Sequence, residues 1–238
     1  MKYIHECLAS FQYQTYKCLR LIVIDNASID GSLEYVRNRF HGVETISLAR
    51  NQGFEIPNNL AMKIALSDGC DYLFLANNDI VLEPTTLAEL VDAGESTPDV
   101  GAVGPVQLRY EDPTKVISAG GEVDWRRCLV KHYKTKPLLN REVEFLSGAA
   151  FLIKAVAVQR LGFLDESYYF YGEDVDLSTR LRRNHYQLVC VASAVIKHHV
   201  EGSSHDSAFR IYHMTRTRFI LMQKHASFLD WLYFIPFF

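Results

Sequence analysis

A chain of 238 residues that is 48% hydrophobic and 22% charged, with 13 Gly and 7 Pro, has ordinary globular composition, enough for one sizeable core or a core with a smaller appendage. Its 25 basic and 28 acidic side chains leave a net charge of −3, so the totals carry no nucleic-acid footprint and no nucleic-acid partner is expected. Five scattered cysteines (Cys7, Cys18, Cys70, Cys128, Cys190), with no Cys-x-x-Cys pair, argue against a disulfide framework or zinc site and for a reducing compartment.

Met1 leads straight into Lys-Tyr-Ile-His-Glu, so no secretory leader is expected. Ile4, Cys7, Leu8 and Phe11 fall at helical spacing and predict an amphipathic helix over 2–13. Leu19 to Ile24 reads as a strand that ends at Asp25-Asn26-Ala27-Ser28-Ile29-Asp30-Gly31. That segment is turn and cap chemistry, and a helix from Ser32 to about Arg39 follows it. Val43 to Leu48 is a further strand, and Asn51-Gln52-Gly53 a loop. Pro57 is placed as the first residue of a helix running to about Ser67.

Cys70-Asp71-Tyr72-Leu73-Phe74-Leu75-Ala76-Asn77-Asn78-Asp79 is the stretch around which the rest is organised. A short aromatic and apolar run bounded by polar residues reads as a strand buried on both faces, as in parallel sheets. Open α/β sheets bind ligands beyond the carboxyl ends of their strands, which puts Asn77, Asn78 and Asp79 at the mouth of a site.

A helix follows from Pro84, with Leu87, Leu90 and Val91 on one face, and Val100 to Leu108 is strand-like. Residues 122–142 read as a loop or hairpin region. Phe145 to Ile153 is apolar around Ser147-Gly148, and a short helix runs to Leu161. Another helix starts at Glu173 and reaches about Asn184. Two short strands (Gln187–Val191, Ala194–His198) and a basic C-terminal helix close the chain. Strands alternating with helices over short loops argue for a parallel sheet with crossover helices. The apolar tail from Phe228 to Phe238 spans 11 residues, against the ~20 a membrane-crossing helix needs.

Three groups could do chemistry. Asp79 cannot hold a divalent cation alone, but Mg²⁺ or Mn²⁺ usually takes one or two carboxylates plus phosphate oxygens, so it suits a metal that arrives with a diphosphate. The alternative is that Asn78-Asp79 only caps a turn. At roughly 100° per residue, Asp174 shares a helix face with Leu177, Ser178 and Leu181, while Asp176 lies near Arg180 and Arg183 as an exposed ion pair. Asp174 then sits on the inward face of a first turn, where the helix dipole favours the ionised form that a general base requires; the alternative is a capping acid. His198 and His199, before Gly202-Ser203-Ser204, are either satisfied strand-end histidines or metal ligands. Arg216 and Arg218, with His213, Lys224 and His225, and Asp206 as the nearby acid, form a face that clamps a diphosphate or is simply solvated. The tail from Phe228 to Ile235 could lie on a bilayer, on the protein or on another subunit.

Together these residues resemble glycosyltransferase family 2, in its rhamnosyltransferase-like branch. The resemblance rests on Val-Ile-Asp-Asn-Ala-Ser-Ile-Asp-Gly-Ser (23–32), Asn-Gln-Gly-Phe (51–54), Asn-Asn-Asp (77–79), Ser-Gly-Ala-Ala-Phe-Leu-Ile-Lys (147–154) and Phe-Leu-Asp-Glu-Ser-Tyr-Tyr-Phe-Tyr-Gly-Glu-Asp-Val-Asp-Leu (163–177), in the right order over roughly residues 2 to 225.

It implies a nucleotide-diphospho-sugar transferase fold (GT-A, Rossmann-like), a mixed and mainly parallel α/β sheet flanked by helices. The expected organisation is a single domain over 1–225, with a donor half (1–100) and an acceptor half (101–225), then the apolar segment 226–238. The implied activity is metal-dependent transfer with inversion, from a UDP-, dTDP- or GDP-linked sugar to a glycan or lipid-linked acceptor. Asp79 matches the metal-holding acid, with Mg²⁺ or Mn²⁺, and His198 a histidine that completes the metal site. Asn78 matches the position near the ribose, and Asn26 with Asp25 the position that reads the base. Asp174 matches the catalytic base, and Arg216 an arginine that holds the diphosphate. A cytoplasmic location, with peripheral contact on the inner membrane face and self-association left open, goes with this reading.

Two departures stand out. The family opens on a strand of the Val-x-Val-Val-Ile-Val-x-Tyr-Asn kind at the sheet centre, and this chain starts at the helix expected after it. Relatives carry small residues after Asn-x-Gly-Phe, where this chain has Glu55-Ile56-Pro57.

Overall fold

The computed structural model describes residues 2–199 and 207–237. The chain opens with α1 (Ile4–Gln12), which buries Ile4, Cys7, Leu8 and Phe11, as their spacing requires. Then come β1 (Leu21–Asp25), α2 (Ser32–Arg39), β2 (Val43–Ser47) and α3 (Glu55–Ser67). Pro57 is the third residue of α3, not the first; a first-turn N–H has no partner within the helix, so proline is tolerated at either place. β3 (Tyr72–Ala76), β4 (Ile80–Leu82) and α4 (Thr86–Glu95) complete the first half.

The second half opens on β5 (Val100–Arg109), β6 (Val116–Ser118), β7 (Gly121–Asp124), β8 (Leu129–His132), β9 (Arg141–Glu142) and β10 (Ala150–Lys154). It continues with α5 (Ala155–Leu161), α6 (Glu173–Arg183), β11 (Gln187–His198), α7 (Ser207–His225) and α8 (Phe228–Phe237). β7 and β8 form the hairpin foreseen in the polar stretch. The two short strands expected after α6 are one strand, β11, whose pairing with β5 shifts register between Val191 and Val195. Ala192-Ser193-Ala194 is thus a bulge in a continuous ladder, not a break.

The architecture is mixed α/β. A seven-stranded sheet has the order β3-β10-β5-β11-β4, with β6 added to β5 and β9 to β11, while β1 and β2 pair separately. β1–β2 and β5–β11 run parallel; β3–β10, β10–β5 and β11–β4 run antiparallel. β3 therefore has an antiparallel neighbour, and its side chains alternate between half-buried and buried instead of being buried on both faces. The main core lies against β5, β10 and β11, where Val106, Ile153, Leu188 and Cys190 meet Leu177 and Leu181 of α6.

Among the described residues β1 pairs only with β2, and β3 only with β10. A groove opens between them, lined by Ile22 and Ile24 on one side, Leu73 and Leu75 on the other, with Cys7 and Phe11 of α1. The opening strand expected from the resemblance has no counterpart among the described residues. No helix among them is long and apolar enough to cross a membrane.

Candidate active site

The end of β1 is tied down by short polar bonds. Asp25 is buried, its carboxylate accepting from the Ser28 amide at 3.2 Å and the Ser47 hydroxyl at 3.3 Å. Asn26 donates to Asn51 Oδ1 (3.0 Å) and to the Gly53 carbonyl (2.8 Å), and accepts from the Gln52 amide (2.9 Å). One asparagine thus clamps the whole 51–53 loop. That loop is stitched in turn to the other half of the molecule, because the Phe54 amide donates to the Tyr169 carbonyl at 2.9 Å. Gly53 has φ +81°, and a Cβ there would lie 2.6 Å from the Tyr169 carbonyl oxygen, so only glycine fits this close approach.

β3 delivers Asn77, Asn78 and Asp79 to the same end. The Asn77 amide donates to the Ala149 carbonyl (2.9 Å), while Asn78 is exposed at the mouth. Asp79 lies in the turn into β4, whose register with β11 pairs Ile80 with His198. The register brings His198 Nε2 to 3.2 Å from Asp79 Oδ1. Asp79 Oδ1 and both ring nitrogens of His198 are buried, yet none makes a well-directed hydrogen bond. A carboxylate oxygen and an imidazole nitrogen facing each other, neither otherwise engaged, suit a shared cation, so this pair fits a divalent metal. Among the described residues no group of three or more His, Cys, Asp or Glu converges to hold a metal by itself. A cation here would need ligands beyond Asp79 and His198.

The opposite wall is the start of α6. Gly172 enters the helix at φ +88°, with Thr217 of α7 2.2 Å from where a Cβ would stand. Asp174 accepts from the Gly148 amide through Oδ2 and from the Val175 amide through Oδ1, both at 2.8 Å. Burial raises its pKa, against the pull of those two N–H groups. The sequence argument had only the helix dipole, which acts the other way. Glu173 is buried with Oε2 unpartnered, and burial followed by the Asp174 charge holds its pKa well above the usual range. Glu55, at the start of α3, is 1% exposed with neither carboxyl oxygen in a hydrogen bond, and burial pushes its pKa up to about 7. Of these carboxyls only Asp174 has two backbone donors, so it is the one fitted to carry charge.

Two residues sit differently from expectation. Asp176 is not an exposed ion pair: it is 1% exposed, bound to Arg180 Nε (2.7 Å), His225 Nε2 (2.7 Å) and the Tyr168 hydroxyl (3.2 Å). α7 packs over that face of α6, which a projection of α6 alone cannot show; Arg183 turns to His225 instead. Arg216 donates to the carbonyls of Tyr168 and Ser167, both at 2.6 Å, so it braces the loop before α6 and does not line the cleft. Asp206 and Gly202-Ser203-Ser204 lie outside the described residues.

One continuous cavity of about 1140 Å³ has Asp25, Asn26, Asn78, Asp79, Asp174 and His198 on its wall. The acid and histidine of the cation pair and the acid at the start of α6 thus face the same space.

Residues 1–162 match the model of a family described as "Glycosyl transferase family 2". The chain belongs to this family. Among its relatives is an N-acetylglucosaminyl-diphospho-decaprenol L-rhamnosyltransferase of Mycobacterium tuberculosis, 28% identical over 94% of this chain and 81% of the relative. A low-salt glycan biosynthesis hexosyltransferase of Haloferax volcanii is 22% identical over 84% of this chain and 66% of its own length. Among solved structures, GalNAc-T7 with UDP, GalNAc and Mn²⁺ superimposes with a TM-score of 0.68 at 18% identity, covering 85% of this chain and 43% of that one. A mannosyltransferase from Pyrobaculum calidifontis, in complex with GDP-Man and Mn²⁺, gives 0.67 at 19% identity over 95% and 61%. These likenesses show the GT-A fold, and with the family they make this chain a glycosyltransferase.

Several features of the glycosyltransferase site escaped the sequence reading. Gly148 was noted as part of an apolar stretch, yet its amide holds the Asp174 carboxylate. Tyr169 supplies a carbonyl that joins the two halves, from a backbone at φ 69° that non-glycine residues rarely adopt. The burial of Glu55 and Glu173 could have been suspected from two acids beside aromatic runs, but their lack of partners is visible only in three dimensions.

Proposed function

We propose that this glycosyltransferase moves a sugar from a nucleotide-diphospho-sugar to a hydroxyl of a glycan or lipid-linked acceptor, with inversion at the anomeric carbon. The observation that carries the reading is the shared cavity between Asp79 and Asp174. Residues 1–100 form its donor half and residues 101–225 its acceptor half. UDP and GDP-Man in the solved neighbours, and a lipid-diphosphate acceptor in the name of the M. tuberculosis relative, support the substrate classes.

In this mechanism Asp25, Asn26 and the 51–53 loop form the floor for the nucleoside, and Asn78 faces the ribose. Asp79 and His198 would hold Mg²⁺ or Mn²⁺. When bound, the ion neutralises charge on the departing diphosphate. Asp174 orients the acceptor hydroxyl and takes its proton as the oxygen bonds to the anomeric carbon. The bond from that carbon to the diphosphate breaks on the opposite face, and the leaving diphosphate keeps the electron pair. The Gly148 and Val175 amides hold the Asp174 carboxylate in place, while its raised pKa brings it nearer the strength a base needs at neutral pH. Arg216 acts by fixing the loop that presents Asp174, and reaches the diphosphate only if it releases its carbonyls.

Asp174→Asn should lower kcat by about 10²–10⁴-fold, the usual contribution of a general base, and leave donor binding intact. Asp79→Ala should instead abolish the Mn²⁺ dependence of donor binding. Transfer assays and calorimetry with UDP, dTDP and GDP in Mn²⁺ separate the two. Full activity in Asp174→Asn would end the assignment.

The separation of β1 from β3 favours a second reading, a relative that keeps the fold and binds donor poorly. The floor for the nucleoside is joined to the large sheet through loops and side chains, not through a ladder. No heat with any of the three nucleotides would select that reading.

A further inference from the structure

α8 is an amphipathic helix turned inside out. On a helical projection Phe228, Leu229, Leu232, Tyr233, Ile235 and Pro236 fall on one broad face. The five large ones are all exposed, from 53% at Leu232 to 77% at Phe228. Only Phe234 is fully buried, and it anchors the helix in a cluster with Leu221, Met222 and Cys128, where half-buried Trp231 also packs. The sole acid of α8, Asp230, lies on the half-buried side and accepts from the amide and hydroxyl of Ser227 as an N-terminal cap. The exposed face is therefore apolar along its whole length.

Its border is cationic. Arg126 and Arg127, at the exposed turn of the β7–β8 hairpin, lie over the rings of Tyr233 (4.9 Å) and Phe237 (4.8 Å). Asp124 lies 4.0 Å from Arg127 and offsets part of its charge. Leu129 and Val130 of the hairpin extend the apolar patch, at 44% and 37% exposure. An apolar face without acids, edged by arginines and amphipathic aromatics, is the composition of a helix lying in the plane of a bilayer surface. There the arginines meet lipid phosphates and the rings sit at headgroup depth.

We infer that α8 and the β7–β8 turn form a docking face for an anionic lipid bilayer. The face is joined to the catalytic wall, since His225, at the end of α7, bonds Asp176 of α6, the helix that begins beside Asp174. A lipid-linked acceptor would thus approach α6 from the bilayer. The inference goes beyond the proposed reaction and does not rest on it, because lipid binding is read without donor or acceptor.

Flotation of the full chain with phosphatidylcholine vesicles, with and without about 30% phosphatidylglycerol, tests it. Cationic side chains at an anionic surface each strengthen binding several-fold, so the anionic vesicles should carry up at least about tenfold more protein. The double variant Leu229→Glu/Leu232→Glu should lose flotation on both vesicle types with an unchanged melting temperature, since both side chains are exposed. Arg126→Glu/Arg127→Glu should lose only the preference for anionic lipid. A wild-type chain that stays at the bottom of the gradient would overturn the inference. So would a Leu229→Glu/Leu232→Glu chain that still floats, or light scattering showing a dimer that this variant dissolves while no vesicle binds.

Discussion

On the wall built by the end of β1, the polar groups are used up by the protein: Asn26 alone makes three hydrogen bonds to the 51–53 loop, and both Asp25 carboxylate oxygens have donors. On the facing wall, Glu173 is buried with Oε2 unpartnered and Asp174 relies on two backbone amides, while Glu55, close to Glu173 but off the cavity wall, has neither carboxyl oxygen bonded. The first arrangement is a scaffold, which holds shape by satisfying itself. The second keeps acceptors and protons available for something that arrives. Burying a polar group without a partner costs on the order of 1–3 kcal/mol, a cost a structural wall avoids and a reactive one carries. The same contrast recurs within one turn of α6, where Asp176 is saturated by Arg180, His225 and Tyr168, and Asp174 faces the cleft.

If that division holds, the two acids of α6 should fail in opposite ways. Asp176→Ala leaves Arg180 without its counter-charge and His225 without its acceptor in a largely buried site, a loss of about 3–5 kcal/mol of stability. Although burial alone would raise the Asp176 pKa, His225 and Arg180 hold it below the usual value. A depressed carboxyl stabilises the fold above its unfolded pKa, and this stabilisation is lost as pH falls through the folded value. The Asp176→Ala deficit should therefore be full at neutral pH and shrink below about pH 4, the ordinary aspartate pKa. Denaturant melts at pH 7 and pH 3 measure it. An Asp176→Ala chain as stable as wild type at pH 7, or an Asp174→Asn chain that unfolds, would erase the contrast.

The scaffold wall makes a smaller claim. Asn26→Ala removes three partly exposed hydrogen bonds and should cost about 1–2 kcal/mol, less than their sum because water replaces some of them. Its sharper readout is local. Amide exchange at Gln52 and Gly53 should quicken, while that of Gly148 and Val175 stays as in wild type. Faster exchange at all four would mean the walls are one cooperative unit.

Much of this was legible in the sequence, for identifiable reasons. Strand ends carry their own punctuation: Asp25-Asn26 and Asn77-Asn78-Asp79 stand where β1 and β3 stop because amides and carboxylates do not continue a buried ladder. Helix α2 was placed to the residue by Asp30-Gly31-Ser32, whose carboxylate accepts from the Ser32 amide. What could not be read is whatever depends on a partner far along the chain. The approach of His198 to Asp79 is set by the β4–β11 register, and only the resemblance pointed to it. Asp176 looked exposed because its own helix cannot show α7. The β11 bulge looked like a strand boundary because local pattern cannot tell a register shift from an end.

A third test falls on Glu55, where this chain departs from the small residues expected by resemblance. Its pKa is pushed up to about 7 from the ordinary glutamate value of 4.5, so between those values the folded state holds a proton that the unfolded chain has given up. A raised acid stabilises the fold fully below the unfolded pKa, and that contribution is lost as pH rises through the folded one. Glu55→Gln, neutral at every pH, should match wild type near pH 4, gain on it as pH climbs from about 4.5 to about 7, and hold that lead above 7. At pH 8 the full difference is worth up to about 3 kcal/mol, so the variant should melt several degrees higher. Thermal melts of both proteins across that range decide the matter. A variant that melts at the wild-type temperature at pH 8 would mean Glu55 finds a donor in solution.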